Sequence, residues 1–326
     1  MVLNSLCKNC GGSKWTALYS VTDFDTGTKV YWLGKCENCQ IIATMDVSVD
    51  TLSRAYSRQY YGSGNAKFPH FLERWLTAGS RRNAKTILDE WRFGDEHHKT
   101  PSVLDIGCGR GTLLREFQSL GADILGLERP EFPLGEASAQ FIRVGSIMDE
   151  QFNGCNFDIV IFWHVLEHMA EVEDMLQTVS GHMNENALLI IAVPNFGSYQ
   201  QRLFTRHWFH LDIPRHLNHF DKNWLVTCLN RNGLSEFSIS TFDLTQNIYG
   251  FVQSALNLLF PGRPNAMYRL LKHQAGNRNW FGLIPWVCFA LLLLPIALLE
   301  SAFSALTGRG ATLTMYARNR SKNRNK

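Results

Sequence analysis

From residue 103 onward the chain repeats one unit: a short apolar run, a turn rich in glycine or proline, then polar and apolar positions at helical spacing. Residues 103–106, 122–127, 141–146, 158–163 and 187–193 read as successive strands, and 112–117 opens the first helix behind them. The run 158–163 is almost continuously apolar, which fits a central parallel strand covered on both faces. Upstream, Phe71, Leu72, Trp75 and Leu76, then Ile87, Leu88 and Trp91, mark helical faces that would pack on the sheet. Downstream, 222–232 reads as a helix ending at Gly233, followed by a strand over 234–242. The expected fold class is α/β, a Rossmann-like, doubly wound sheet.

The unit breaks after residue 243. The antiparallel partner expected for 234–242 lies at 311–317, so sixty-odd residues intervene. Within them, 280–299 runs for twenty residues without a charge, long enough to span a bilayer as one helix. Pairing of the flanking strands requires both ends of the insertion to return to one side, and Pro285 and Pro295 are each expected to interrupt a helix. The pattern therefore predicts a hairpin or re-entrant wedge at a cytoplasmic membrane face, with 248–260 as its apolar companion. A buried hairpin over the substrate pocket and a dimer seam are the competing readings.

At 326 residues the chain has room for a full α/β core and additions. A net charge of +3 does not argue for nucleic acid, although 318–326 forms a basic run suited to an anionic surface. Residues 1–20 are polar and cysteine-bearing, without the charged-then-apolar plan of a signal peptide, so a cytoplasmic location is expected. Four of the eight cysteines form two Cys-x-x-Cys pairs, Cys7/Cys10 and Cys36/Cys39, around a segment that alternates like short strands. That spacing predicts a zinc-ribbon-like unit, architectural because four thiolates leave no open position, with redox-active or unliganded thiols as the alternative.

The densest chemistry lies at Asp105-Ile106-Gly107-Cys108-Gly109-Arg110-Gly111. Glycines 107, 109 and 111 allow a ligand to approach the backbone at a helix N-terminus, while Thr112 stands where a dinucleotide fingerprint has its third glycine. Asp105 suits a cationic or hydroxylated ligand, and Glu128, at the end of the second strand, suits two ribose hydroxyls. With Phe157-Asp158-Ile159-Val160, His164-Val165-Leu166-Glu167-His168 and Val193-Pro194-Asn195 in order, the chain resembles the class I S-adenosylmethionine-dependent methyltransferases over about 85–243 and 311–318.

The resemblance implies a seven-stranded sheet with an antiparallel last strand, and S-adenosylmethionine as cofactor. It implies a cofactor side of Asp105, Ile106, Gly107, Cys108, Gly109, Gly111 and Glu128, with Ser146 and Ile147 beside the adenine and His164 toward the acceptor. If a helix starts near Val165, His164, Glu167 and His168 converge, an element similar to one that binds a divalent metal such as Mg²⁺ in ubiquinone-biosynthesis and small-RNA methyltransferases. There a glutamate stands in place of His164; the competing role is to cap and buttress the helix. In the loop 208–220, His216 is the expected general base, Asp212 would orient it, Arg215 would hold an anionic substrate group, and His219 would line the acceptor side. An ion-pair knot that only shapes the loop is the other reading.

The expected organisation is a ribbon over 1–45, a linker with Tyr56, Tyr60 and Tyr61 and helices over 46–100, and the methyltransferase domain over 101–243 and 310–318. The apolar helical hairpin then takes 244–309 and the basic tail 319–326. The expected function is methyl transfer to a lipid-borne or membrane-proximal acceptor such as a quinone, lipid-linked glycan or surface-polymer precursor. A soluble sugar or small-molecule methyltransferase with the insertion as lid, and a non-catalytic cofactor-binding membrane module, are the alternatives; an RNA methyltransferase ranks last.

Overall fold

The computed structural model describes residues 5–24, 27–56, 70–92, 100–135, 138–272 and 280–319. Tyr60, Tyr61 and all of the basic tail past Asn319 fall outside them, as do the side chains of Phe71, Leu72, Trp75 and Leu76.

Seven strands form the main sheet: β4 (Ser102–Ile106), β5 (Asp123–Glu128), β6 (Ile142–Val144), β7 (Phe157–Trp163), β8 (Met183–Pro194), β10 (Leu234–Ser240) and β11 (Thr312–Asn319). Their order is β10-β11-β8-β7-β4-β5-β6, and β11 alone runs against its neighbours. Ile159, Val160, Ile161 and Phe162 of β7 are fully buried, because helices cover both faces. On one face α2 (His70–Arg92) and α3 (Thr112–Ser119) bring Ala84, Ile87, Leu88 and Trp91 against Leu114 and Phe117. On the other lie α4 (Val172–Gly181) and, after the short α5 (Tyr199–Phe204), α6 (Lys222–Arg231), with Leu176, Val179, Leu225 and Leu229. The first-turn N–H of Trp224 donates to the capping carboxylate of Asp221 at 2.8 Å, which fixes where α6 starts.

The cysteine-bearing segment folds as β1 (Trp15–Thr22), β2 (Val30–Cys36) and β3 (Ile42–Thr44), all antiparallel. A fourth strand, β9 (Asn218–His219), comes from the histidine-rich loop and pairs with β3. The short helix α1 (Val49–Ala55), capped by Ser48, leads to Tyr56.

The insertion is three helices: α7 (Leu244–Leu259), α8 (Ala266–Lys272) and α9 (Trp280–Leu306). The expected interruption at the prolines does not occur, since Pro285 and Pro295 both lie inside α9. Packing supplies what the missing N–H groups withdraw: Phe260 meets Trp286 and Phe289 edge-on at 5.2 Å, and Ala297 is fully buried. Ile284–Leu306 is long and apolar enough to cross a membrane, and little of it is buried. Asn195, after Pro194, closes the insertion's return by donating its side-chain amide to Gly310 O (2.8 Å) and its backbone N–H to Ala311 O (2.8 Å). A β-carbon on Gly310 would stand 1.8 Å from Thr241 O, so the two chain ends that bracket the insertion touch there.

Candidate active site

The glycine loop leaves the carboxyl end of β4. Gly107 has φ +73°, and a β-carbon on it would come within 2.2 Å of Val165 Cγ2. Gly109 has φ +57° with open space where its side chain would be, so a ligand can reach the backbone there. Glu128 is nine-tenths buried at the end of β5 and accepts N–H bonds from Gly109 (2.8 Å) and Arg129 (3.0 Å). Asp105 is buried too, and its Oδ1 has no hydrogen-bond partner among the described residues. Burial raises the carboxyls of Asp105 and Glu128, and the charge of Glu128 raises Asp105 further. Two partly desolvated acids, one with an orphaned oxygen, flank an open backbone cradle, a donor set that fits a ligand carrying a cationic centre and ribose hydroxyls.

The other residues of that side take supporting places. Ile106 is buried, and Cys108 packs behind the loop, its sulfur crowding the position a β-carbon on Gly126 would take. Gly145 N–H ties β6 to Glu128 O at 3.0 Å, Ser146 N–H donates to Asp149 Oδ2 at 2.8 Å, and Ile147 is buried beneath.

On the acceptor side a chamber of about 650 Å³ opens between the sheet edge and the insertion. One end is lined by His164, Glu167, His168, His210, Asp212 and His216. The rest is lined mainly by apolar and aromatic side chains of α7, α8 and α9, among them Ile248, Tyr249, Val252, Tyr268, Leu291 and Leu294. Residues 166–168 form a 3₁₀ turn rather than the expected α-helix, and His164 sits in the left-handed region at φ +54°. Consequently the three groups that converge are Glu167, His168 and His216, whose ligand atoms lie within 4.8 Å of one another, and not His164 with Glu167 and His168. His164 Nδ1 stands 3.6 Å from Glu167 Oε1, and its Nε2 is buried without a partner among the described residues.

Two of the rings are held through Nδ1. His216 Nδ1 lies 2.9 Å from His210 O and His168 Nδ1 lies 3.1 Å from Arg215 O. A carbonyl only accepts, so His216 carries a proton on Nδ1 and turns Nε2 toward Glu167 and Asp212. Tyr56 Oη reaches His168 Nδ1 at 2.8 Å while its ring lies under the Arg129 guanidinium at 4.2 Å, linking this cluster to the residue after Glu128. Burial would raise the Glu167 carboxyl, but the imidazoles of His164, His168 and His216 outweigh it and hold the group at about 2. Burial, with the charge of His216, presses His168 down to about 4 and His219 to about 3. His210 falls to about 3 through burial and the charge of His164.

Three expectations change in the loop. Asp212 is not the orienting partner of His216, because it pairs with Arg215 through both oxygens; His216 Nε2 stands 3.8 Å from it, beyond hydrogen-bond range. Arg215, buried and held by that pair, does not line the chamber and is not presented to a substrate anion. His219 does not line it either, and its Nε2 bonds Thr44 Oγ1 at 3.0 Å. The ion pair that shapes the loop and an accessible His216 coexist. Sequence reasoning missed Tyr56 as a partner of His168, and missed Thr44, Tyr249 and Tyr268; each reaches the site across more than thirty residues of chain, and no short-range pattern marks it.

In the ribbon, Cys7 Sγ and Cys39 Sγ are 3.7 Å apart, Cys10 Sγ and Cys36 Sγ 3.6 Å, and all four lie within 4.8 Å of one another. Thiolates at about 2.3 Å around a tetrahedral zinc would be separated by roughly 3.8 Å, so the four cysteines fit that ion.

A seven-stranded sheet with one reversed strand, a glycine loop at the end of β4 and an acid at the end of β5 define the class I methyltransferase fold. Residues 75–236 match a family model described as a methyltransferase domain, and the chain belongs to the S-adenosylmethionine-dependent methyltransferases. Among curated relatives, a ubiquinone biosynthesis O-methyltransferase from Rhizobium rhizogenes is 36% identical over 101 residues, covering 28% of this chain and 41% of that one. One of the same name from Rhodopseudomonas palustris is 27% identical over 129 residues, covering 37% and 51%. The chain thus spans about two-fifths to half the length of these relatives. A solved SAM-dependent methyltransferase from Archaeoglobus fulgidus aligns with a TM-score of 0.43 at 18% identity, covering 76% of this chain and 99% of that one.

Proposed function

We propose that this protein methylates a hydroxyl on a lipid-borne acceptor, of which a quinone is the leading class, at a membrane face. The observation that carries the reading is the chamber. It has ionisable groups at the sheet end and apolar walls from α7, α8 and α9, and α9 also carries Leu292 and Leu299, each 73% exposed and outside the chamber lining. An acceptor with a polar head and a hydrocarbon chain matches both ends, and the partial similarity to ubiquinone biosynthesis O-methyltransferases supports a quinone.

Asp105, the 107–111 loop and Glu128 are the residues that would hold S-adenosylmethionine, which supplies an electrophilic methyl on its sulfonium sulfur. His216, which lines the chamber and is held through Nδ1 by His210 O, takes the hydroxyl proton on Nε2 as the oxygen attacks. Glu167, 3.9 Å away, and Asp212, 3.8 Å away, stabilise by their charge the imidazolium that forms. Tyr249, whose buried hydroxyl has no partner among the described residues, is placed to bind a polar group on the acceptor. The exposed face of α9 would rest in the cytoplasmic leaflet. In a second reading, favoured by the convergence of Glu167, His168 and His216 with both rings anchored on carbonyls, these three hold a divalent ion and His216 is a ligand rather than a base.

The test uses methyl-labelled S-adenosylmethionine, purified protein and a cell extract partitioned between organic and aqueous phases. Label in the organic phase that vanishes with His216→Ala is expected. Label only in water-soluble products would overturn the lipid reading. Two bound metal ions per chain, with activity lost when one is withdrawn, would replace the base by the ligand reading.

A further inference from the structure

The ribbon and the acceptor-side loop share a sheet, and their junction is one side chain. Thr44 closes β3, is buried, and faces the loop that supplies β9. Its backbone N–H donates to Leu217 O at 2.9 Å, its hydroxyl lies 2.7 Å from His216 O, and the same oxygen lies 3.0 Å from His219 Nε2. A hydroxyl has one proton and a carbonyl can only accept, so Thr44 donates to His216 O and accepts from His219 Nε2–H. One threonine therefore fixes the peptide after the His216 ring and the tautomer of His219.

The cysteine end of the ribbon grips the same loop. Asn9, between Cys7 and Cys10, donates its amide to Asn218 Oδ1 at 3.2 Å and accepts from Val172 N–H at 2.9 Å, while Asn218 donates to Met169 O. The backbone around His216 is thus held from the ribbon at residues 216, 217 and 218, whereas its ring is held from within the loop by His210 O.

We propose that Thr44 is a positioning residue for His216, and that the four-cysteine ribbon acts as a bracket for the acceptor-side histidines as well as an architectural unit. The inference rests on the reading of His216 as the acceptor-side base, so its test measures ring position separately from turnover. Thr44→Val keeps the β-branched shape and removes the proton and the lone pairs; Thr44→Ser keeps them.

With the zinc-loaded full chain labelled with ¹⁵N-histidine, the imidazole nitrogens are followed by NMR, and kcat and KM are measured with the organic-phase acceptor. In Thr44→Val the His216 and His219 ring signals are expected to move, and kcat to fall about tenfold or more, since small misplacements of a reacting group are costly. S-adenosylmethionine affinity should stay within about twofold, because the hydrogen bonds of the Thr44 hydroxyl and N–H go to the acceptor-side loop and none to Asp105, the 107–111 loop or Glu128. Thr44→Ser is expected to restore both signals and kcat. Wild-type ring signals in Thr44→Val overturn the proposal whatever the activity. Should His216→Ala turn over normally while the Thr44→Val signals still move and Ser restores them, the base assignment falls and the positioning assignment stands.

Discussion

Leu292 and Leu299, seven residues apart on one face of α9, are each 73% exposed to solvent. Fully burying a leucine is worth roughly 1.5–3 kcal/mol, so returning the exposed fraction of the pair to an apolar phase contributes about 3 kcal/mol together. Replacing both with glutamate removes that term and adds the cost of a charge at the bilayer, a further 2 kcal/mol or so for each that enters the hydrocarbon. The Leu292→Glu/Leu299→Glu variant is therefore expected to bind anionic vesicles at least about 100-fold more weakly, since 1.4 kcal/mol is tenfold in affinity. Because neither side chain supports the core, thermal stability should change little. The assay is flotation with phosphatidylglycerol-containing vesicles, alongside circular dichroism to confirm folding. A folded variant that floats like the wild type would refute membrane seating of α9, and one that unfolds would show that the helix face belongs to a packed interface.

Three further outcomes follow from other parts of the molecule. Gly107→Ala puts a β-carbon 2.2 Å from Val165 Cγ2 at a φ of +73°, so calorimetry should find S-adenosylmethionine affinity lost by two orders of magnitude or more (about 3 kcal/mol of strain and displacement); binding as tight as wild type would contradict the loop assignment. His210 and His219 are held near 3 by burial, so an unfolded chain takes up protons below about pH 6.5 that the folded chain refuses. Stability is then lost as pH falls from about 6.5 toward 3, by roughly 4 kcal/mol between pH 7 and pH 5 for the two together; a urea midpoint that is the same at both pH values argues against it. Removing the ribbon metal with a strong chelator, or pairing Cys36→Ala with Cys39→Ala, should release one zinc per chain and lower the melting temperature, because a four-thiolate site contributes folding energy directly; elemental analysis and calorimetry check both halves.

The sheet and the cofactor side were legible because their signals are local. A strand, its glycine loop and the next strand's acid fall within twenty-six residues, 103–128, and each residue's role there follows from the backbone it sits on. The acceptor side was legible in composition but not in wiring. His216 stands out in the sequence, yet its orienting partner is a backbone carbonyl six residues away, which no residue identity announces, and the aspartate that looked like the partner belongs to Arg215. The turn at 164–168 looked helical by spacing, but His164 takes a left-handed conformation that ends the strand and shifts the convergence to His216. Pro285 and Pro295 carried the ordinary helix-breaking expectation, which fails where aromatic packing holds α9 together. Thr44 and Asn9 could not be found from sequence at all, since their partners lie more than 160 residues away.

The position of β11 has a consequence for how the chain is made. β11 pairs on one side with β8 and on the other with β10, so neither neighbour has its edge covered until β11 is in place. Every residue of α9 precedes β11 and leaves the ribosome first. The nascent chain therefore presents its most apolar helix while the sheet still lacks an interior strand and the chamber has no finished wall. A chain that completes its fold in water does so with that helix exposed to solvent and to other nascent chains.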